Sequence, residues 1–275
     1  KGYDVTIFEW NDGIGGILRY GIPEFRLPKS ILDRYQSKLE DLGIHIRPNT
    51  TIGAVLMIDN LFRDGYKSVF IGTGAEKPKS LGIRGETLGN VYFGLNYLAN
   101  PQGHKLGDRV AVIGMGNAAM DVSRTALRQG ARHVILFARG KRIMASSNEV
   151  DYARLDGAEF VFGKQIQYID ENGPVFKTSI FDEEGHIVGF EEELEHIHAD
   201  SVIISVSQMP RKKLVRTTDG LQADDRGNLI IDDQFMTTRP GVFAAGDVTT
   251  GPKTVVHAVE AAKQAAEAMD AYMRV

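Results

Sequence analysis

The sequence predicts an α/β fold built on parallel sheet, and three observations predict it. Short apolar runs with the character of buried strands recur at residues 5–8, 68–72, 110–114, 133–137, 201–206 and 242–246. Helical stretches with apolar residues three and four apart lie between several of them, chiefly 31–42, 118–129 and 255–273. Thirty glycines against nine prolines, many of them ending an apolar run, read as turns between elements and not as linker.

The chain enters directly at a strand run, residues 3–9, that closes in the acid Glu9. In a βαβ nucleotide fold a strand-end acid accepts the ribose hydroxyls of a dinucleotide, and the glycine loop lies about twenty residues earlier. That loop would fall before Lys1, so the expectation is a fragment that starts inside a fold. A turn with Gly13, Gly15 and Gly16 and the helix 31–42 follow, then the strand 68–72. The strand 110–114, the helix 118–129 closed by Gly130, and the strand 133–137 form a second βαβ unit. From about 160 to 195 the pattern changes to alternating runs broken by Asn172-Gly173-Pro174 and Glu183-Glu184-Gly185, which predicts antiparallel hairpins crossing one sheet. Strands 201–206 and 242–246 and the helix 255–273 complete the chain.

A length of 275 residues accommodates one large or two ordinary domains. No apolar run reaches the roughly 18 residues a membrane span needs. The net charge of -4 supplies no field to attract nucleic acid or an acidic membrane, so neither is an expected partner. No charged-then-apolar leader opens the chain, and a cytoplasmic location is expected. Cysteine is absent, which removes disulfides, thiol nucleophiles and any iron-sulfur cluster held by this chain; redox chemistry then rests on bound cofactors.

The second βαβ unit carries Gly114-Met115-Gly116-Asn117-Ala118-Ala119 between strand and helix. Gly114 permits the tight turn, Gly116 lets backbone approach a pyrophosphate, and Ala119 allows helix and strand to pack closely. Asn117 and Ala118 open the helix, whose N-terminus favours the anion. The next strand ends not in an acid but in Ala138-Arg139-Gly140-Lys141-Arg142. Arg139 and Lys141 match a 2′-phosphate, which predicts NADP in preference to NAD; an ordinary solvated basic turn is the alternative.

Four segments together are too specific for composition to produce: Ile17-Leu18-Arg19-Tyr20-Gly21-Ile22-Pro23-Glu24-Phe25-Arg26-Leu27-Pro28-Lys29, Phe70-Ile71-Gly72-Thr73-Gly74-Ala75, residues 112–121 around the Gly114 turn, and Gly241-Val242-Phe243-Ala244-Ala245-Gly246-Asp247. Over essentially its whole length the chain resembles the small-subunit family of NADPH-dependent glutamate synthase, which includes the flavin domains of dihydropyrimidine dehydrogenase. The resemblance implies two interleaved Rossmann-like FAD/NAD(P)-binding domains with a small antiparallel insert and the first FAD-domain strand missing. Their extents would be 1–98 and 212–275 for FAD and 99–211 for NADP. It further implies that Glu9 binds the adenosine ribose and that Gly15, Gly16 and Leu18 lie along FAD. Thr73 and Gly74 would approach FAD through backbone, Gly246 would make room beside the pyrophosphate, and Asp247 would accept from a ribityl hydroxyl. Thr254 and Val255 would aim the last helix at the flavin ring.

The activity so implied is hydride transfer from NADPH to FAD, with electrons leaving to a partner subunit or an iron-sulfur centre. The rival reading is a non-catalytic NADP-binding or scaffold remnant of a larger flavoprotein. No side chain is assigned a catalytic role, because such transfer needs ring alignment more than an acid. Other features have simple readings. His196 and His198 lack a third metal ligand, His257 is packed in preference to acting as a proton donor, and Glu191-Glu192-Glu193 and Arg211-Lys212-Lys213 are solvated faces. Met115, Met120 and Met144 fill space, and Trp10 covers either the adenine or a sheet edge.

Overall fold

The structure is a computed structural model that describes residues 1–274. The chain forms two compact units. The first comprises Lys1–Arg19, Pro28–Lys77 and the chain from Gln208 onward; the second comprises Tyr20–Leu27 and Pro78–Ser207.

The second unit is built on a five-stranded parallel sheet in the order Val91–Phe93, Ser201–Ile204, Arg109–Ile113, His133–Ala138, Glu159–Phe162. Ser201–Ile204 is buried at every position and Arg109–Ile113 at all but the first, because both faces of the sheet are covered. On one face helices Gly94–Ala99, Asn117–Arg128 and Ser147–Leu155 bring Tyr97, Met120, Val122 and Val150 against Val112 and Leu136. On the other, the antiparallel strands Lys164–Asp170, Gly173–Phe181 and Ile187–His196 bring Ile169 and Phe176 against Ala111, Phe137 and Ile204. The Phe137 and Phe176 rings stack at 4.7 Å.

One expectation changes here. Residues 159–162 are not part of a hairpin but the fifth parallel strand, with Ile135 opposite Glu159, because the helix Ser147–Leu155 returns the chain to the sheet edge before the hairpins begin. The chain crosses between the two units at Arg19/Tyr20, Leu27/Pro28, Lys77/Pro78 and Ser207/Gln208. Strand Val91–Phe93 pairs into the same sheet as the Gly114 strand and carries residues 78–98 with it.

In the first unit Thr6–Phe8 pairs in parallel with His45–Arg47, and Val69–Ile71 with Val242–Ala244. These are separate two-stranded sheets, and no strand among the described residues joins them. The core gathers Ile58, Ile71, Leu221, Leu229, Val242 and Val248. Helices Lys29–Asp41 and Val255–Met273 stand within one or two residues of the helices predicted from periodicity.

Candidate functional site

Strand Arg109–Ile113 delivers the chain to Gly114, whose amide donates to the Phe137 carbonyl at 3.0 Å and whose φ is 132°. A Cβ at Gly114 would collide with the Ser205 carbonyl oxygen, so the turn admits only glycine. Gly116 has extended backbone, φ -93°, and a Cβ there would meet nothing within 4 Å. From Gly116 the helix Asn117–Arg128 begins at once, with the Ala119 and Met120 amides donating to the Gly116 carbonyl at 2.9 and 3.1 Å. The amides of Asn117 and Ala118, in the first turn, have no intrahelical acceptor and sit at the positive end of the helix dipole. Ala119 is fully buried, as close packing requires.

Arg139, Lys141 and Arg142 are exposed one strand over, at the same C-terminal end of the sheet, since Ile113 lies opposite Phe137. Three hydrogen bonds tie their loop back onto the glycine turn. The Met144 and Ala145 amides donate to the Met115 carbonyl at 3.0 and 3.1 Å, and the Ser146 amide donates to Asn117 Oδ1 at 2.9 Å. Met115 and Met120 are buried fillers, whereas Met144 is 70% exposed, because its backbone and not its side chain makes the contact. Asn117→Ala is expected to cost about 1 kcal/mol of stability through the lost Ser146 anchor and to weaken nucleotide binding several-fold. Urea unfolding and calorimetric titration with NADP+ measure the two effects.

One functional-looking group was not singled out from sequence: Asp121, one turn into the helix Asn117–Arg128, with its side chain only 4% exposed. Its Oδ2 accepts from Arg26 Nη1 at 2.6 Å, and Arg26 Nε lies 2.8 Å from Glu149 Oε1. Arg124 bridges Glu149 and Asp156 at 3.2 and 2.8 Å, and Arg128 also pairs with Asp156. Phe25 lies under the guanidinium groups of Arg124 and Arg128, at 4.8 and 4.1 Å. Asp121 Oδ1 is buried with no hydrogen-bond partner. Burial pushes the Asp121 carboxyl up to about 6, against the pull of Arg26. This network seats residues 20–27 on the second unit although both flanks belong to the first. Its sequence signal was a lone carboxylate inside an apolar helical run.

In the first unit the residues assigned to FAD lie at strand ends and turns. Glu9 follows Thr6–Phe8, and its Oε1 accepts from the Asn11 backbone and side-chain amides at 2.8 and 3.0 Å. Gly15 and Gly16 accept from the Leu18 and Arg19 amides, both at 3.0 Å, and so start the helix Ile17–Tyr20. Thr73 and Gly74 follow Val69–Ile71, and Gly246 and Asp247 follow its parallel neighbour Val242–Ala244. Both pairs therefore stand at one end of one ladder. A Cβ on Gly74 would meet nothing within 4 Å, which leaves its backbone approachable. Asp247 Oδ1 accepts from the Lys253 amide at 3.0 Å, and burial raises its carboxyl. Thr254 immediately precedes the helix Val255–Met273 without a side-chain capping bond, and Val255 is 50% exposed.

Sequence reasoning also passed over Glu76. It accepts from the Trp10 indole and the Ile17 amide, and it is raised by burial first and then by the Glu9 carboxylate. Arg211 is not simply solvated: its guanidinium stacks 4.3 Å over Trp10. His257 is exposed, not packed, with Nδ1 2.6 Å from Thr254 Oγ1, because the first turn of its helix is uncovered. His196 lies 3.0 Å from Asp170, and His198 Nδ1 lies 3.2 Å from the Asn172 carbonyl.

The family described as pyridine nucleotide-disulphide oxidoreductase matches residues 54–262, a span that includes the Gly114 turn, the basic loop and Asp247. The chain belongs to this family. Among curated members it is 32% identical to the glutamate synthase [NADPH] small chain of Halomonas elongata, over the whole of this chain and 64% of that one. It is 35% identical to the NADP(+)-dependent formate dehydrogenase subunit beta of Moorella thermoacetica, over all of this chain and 41% of that one. The chain thus spans less than two thirds of the length of these relatives. Mycobacterium tuberculosis FprA, solved in complex with NADPH, shares the fold, with a TM-score of 0.77 and 20% identity over 98% of this chain and 77% of FprA. The chain shares with FprA an α/β architecture that contains a Rossmann-type parallel sheet. In the second unit the fit to a dinucleotide rests on the open Gly116 approach and the exposed basic loop; in the first it rests on the open backbone at Gly74 beside Gly246 and Asp247. No helix among the described residues is long and apolar enough to cross a membrane.

Proposed function

We propose that this chain is the core of a flavin-dependent oxidoreductase that takes hydride from NADPH and passes electrons to a partner subunit or an iron-sulfur centre. The observation that carries this reading is the joining of the Gly114–Gly116 turn to an exposed basic loop by three hydrogen bonds at one sheet end. That arrangement suits a dinucleotide with an extra phosphate on its adenosine ribose. When bound, nicotinamide and flavin together supply hydride transfer and its division into single electrons.

The protein's part is binding and orientation. The first-turn amides of Asn117 and Ala118 hold the pyrophosphate, with Gly114 and Gly116 keeping side chains out of its path. Arg139 and Lys141 hold the 2′-phosphate through charge-assisted hydrogen bonds. In the first unit Glu9 binds the FAD ribose, and Gly15, Gly16, Leu18, Thr73, Gly74 and Gly246 line the cofactor with backbone. Asp247 accepts from a ribityl hydroxyl, and the helix led by Thr254 and Val255 turns its positive end to the flavin ring. The relatives support a partner: the glutamate synthase small chain and the formate dehydrogenase subunit beta are each one component of a larger enzyme.

The deciding test is the visible absorption of the purified chain with FAD, before and after NADPH is added without oxygen. Flavin bands that bleach on addition of NADPH are the expected result. A colourless chain that ignores FAD yet binds NADP+ would leave only a nucleotide-binding module. For the second unit, Lys141→Ala and Arg139→Ala are each expected to lower NADP+ affinity about tenfold while leaving NAD+ affinity unchanged, by calorimetry. Equal losses for both nucleotides would remove the 2′-phosphate assignment.

A further inference from the structure

The basic loop does not stand alone. The antiparallel insert, which carries no residue assigned to a nucleotide, reaches it through the last residues of strand Gly173–Phe181. Buried Ser179 donates from Oγ to the Arg139 carbonyl at 3.1 Å. Two residues on, the Phe181 ring lies 4.5 Å beneath the Lys141 ammonium. The ring is seated by Gly163: a Cβ there would press on Phe181 Cε2 at 3.0 Å, and the Gly163 backbone has φ 73°, which glycine adopts freely. The Ser179 amide donates to the Gly163 carbonyl at 2.7 Å and closes the same corner. In the adjacent acidic turn the Asp182 and Glu184 carboxylates lie 3.6 and 3.5 Å from His186 Nδ1.

We propose that Phe181 and Ser179 are positioning residues for 2′-phosphate selection: the insert presets Lys141 and Arg139, so that the phosphate of NADP+ meets a loop already in place. The proposal rests on the reading of Arg139 and Lys141 as the 2′-phosphate site. Its physical basis is that a flexible lysine must give up rotamer freedom to meet a phosphate. A ring that attracts the ammonium from one side holds the stem in place and leaves N–H donors free on the other. The Ser179 bond fixes the backbone from which Arg139 projects. Both residues act on Arg139 and Lys141, the groups assigned to the 2′-phosphate, so the effect is expected on the ratio of the NADP+ and NAD+ affinities.

The test is calorimetric titration of the whole chain with NADP+ and NAD+ for wild type, Phe181→Leu, Phe181→Tyr, Ser179→Ala, Lys141→Ala and Arg139→Ala. Phe181→Leu is expected to reduce the NADP+/NAD+ preference about three- to fivefold with NAD+ affinity unchanged, and Phe181→Tyr, which keeps the ring, to restore it. Ser179→Ala is expected to reduce the preference about twofold. Full wild-type preference in Phe181→Leu, alongside a loss in Lys141→Ala, would overturn the positioning role while leaving the phosphate site intact. Full preference in Lys141→Ala and Arg139→Ala alike would overturn the phosphate site itself and the proposal with it. A second measurement needs no variant. In the proton NMR spectrum of the wild-type chain the Lys141 ε-methylene signals are expected upfield of their ordinary position from the Phe181 ring current and to move when adenosine 2′,5′-bisphosphate is added. Ordinary, unmoved signals would overturn the proposal.

Discussion

Gly114→Ala is expected to lower stability by about 3 kcal/mol or more and to reduce NADP+ affinity at least tenfold. The added methyl runs into the Ser205 carbonyl oxygen, part of the backbone that leaves the neighbouring central strand Ser201–Ile204 and cannot swing aside. It also demands a φ of 132°, where a side chain is strained. Gly116→Ala separates the two effects. At that position φ is -93° and the methyl meets open space, so stability is expected to stay within about 0.5 kcal/mol of wild type. The same methyl lies where a pyrophosphate would approach, and nucleotide affinity is expected to fall as in Gly114→Ala. Urea unfolding followed by circular dichroism, with parallel calorimetry, checks both. A wild-type midpoint in Gly114→Ala would mean that the turn yields more than its packing shows, and undiminished affinity in Gly116→Ala would move the pyrophosphate elsewhere.

The second large effect concerns the network around Asp121. Arg26→Met is expected to cost about 3 kcal/mol near pH 7.5, because the buried Asp121 carboxylate loses its cation while Glu149 stays close by. The direction with pH follows from linkage. The folded chain holds the Asp121 proton up to about pH 6, whereas the unfolded chain releases it near the ordinary carboxylate value of 3.8. Proton uptake therefore favours the folded state fully below about pH 4, and this contribution is lost as pH rises through 6. Relative to wild type, Asp121→Asn is thus expected to gain about 3 kcal/mol between pH 4 and pH 7, a difference of about two pKa units. Denaturant unfolding of both proteins across that range measures it. A pH-independent difference would mean that Asp121 is as acidic as an exposed carboxylate. In Arg26→Met the destabilisation should shrink toward pH 5, where Asp121 can go neutral without a partner.

What was legible in the sequence is what neighbours along the chain decide. The strand and helix of the Gly114 unit could be read because alternation, periodicity and the glycine positions are local constraints on φ, ψ and side-chain direction. The hairpin turns at Asn172-Gly173 and near Gly185 were legible for the same reason. Glu9 could be read from the rule that a strand-end acid meets a ribose, whereas the other residues for FAD came from resemblance to a family, since backbone contacts leave little trace in residue type.

Other features depend on residues far apart in sequence. Arg26 and Asp121 meet across 95 positions, and Ser179 reaches back 40 residues to Arg139. Local patterning singled out Lys141 as a phosphate ligand but left Phe181 as one more strand residue; only the crossing of the insert over the sheet makes them neighbours. Strand Glu159–Phe162 likewise looked like the start of a hairpin until its pairing with His133–Ala138 was seen. The sequence by itself determined the α/β class, the Gly114 turn between strand and helix and the basic run that follows the next strand, because those follow from local backbone geometry and residue chemistry. Only the tertiary structure decided where the units divide, which carboxylate is buried with which arginine, and what braces the basic loop, because burial and pairing are properties of the packed chain and not of any segment within it.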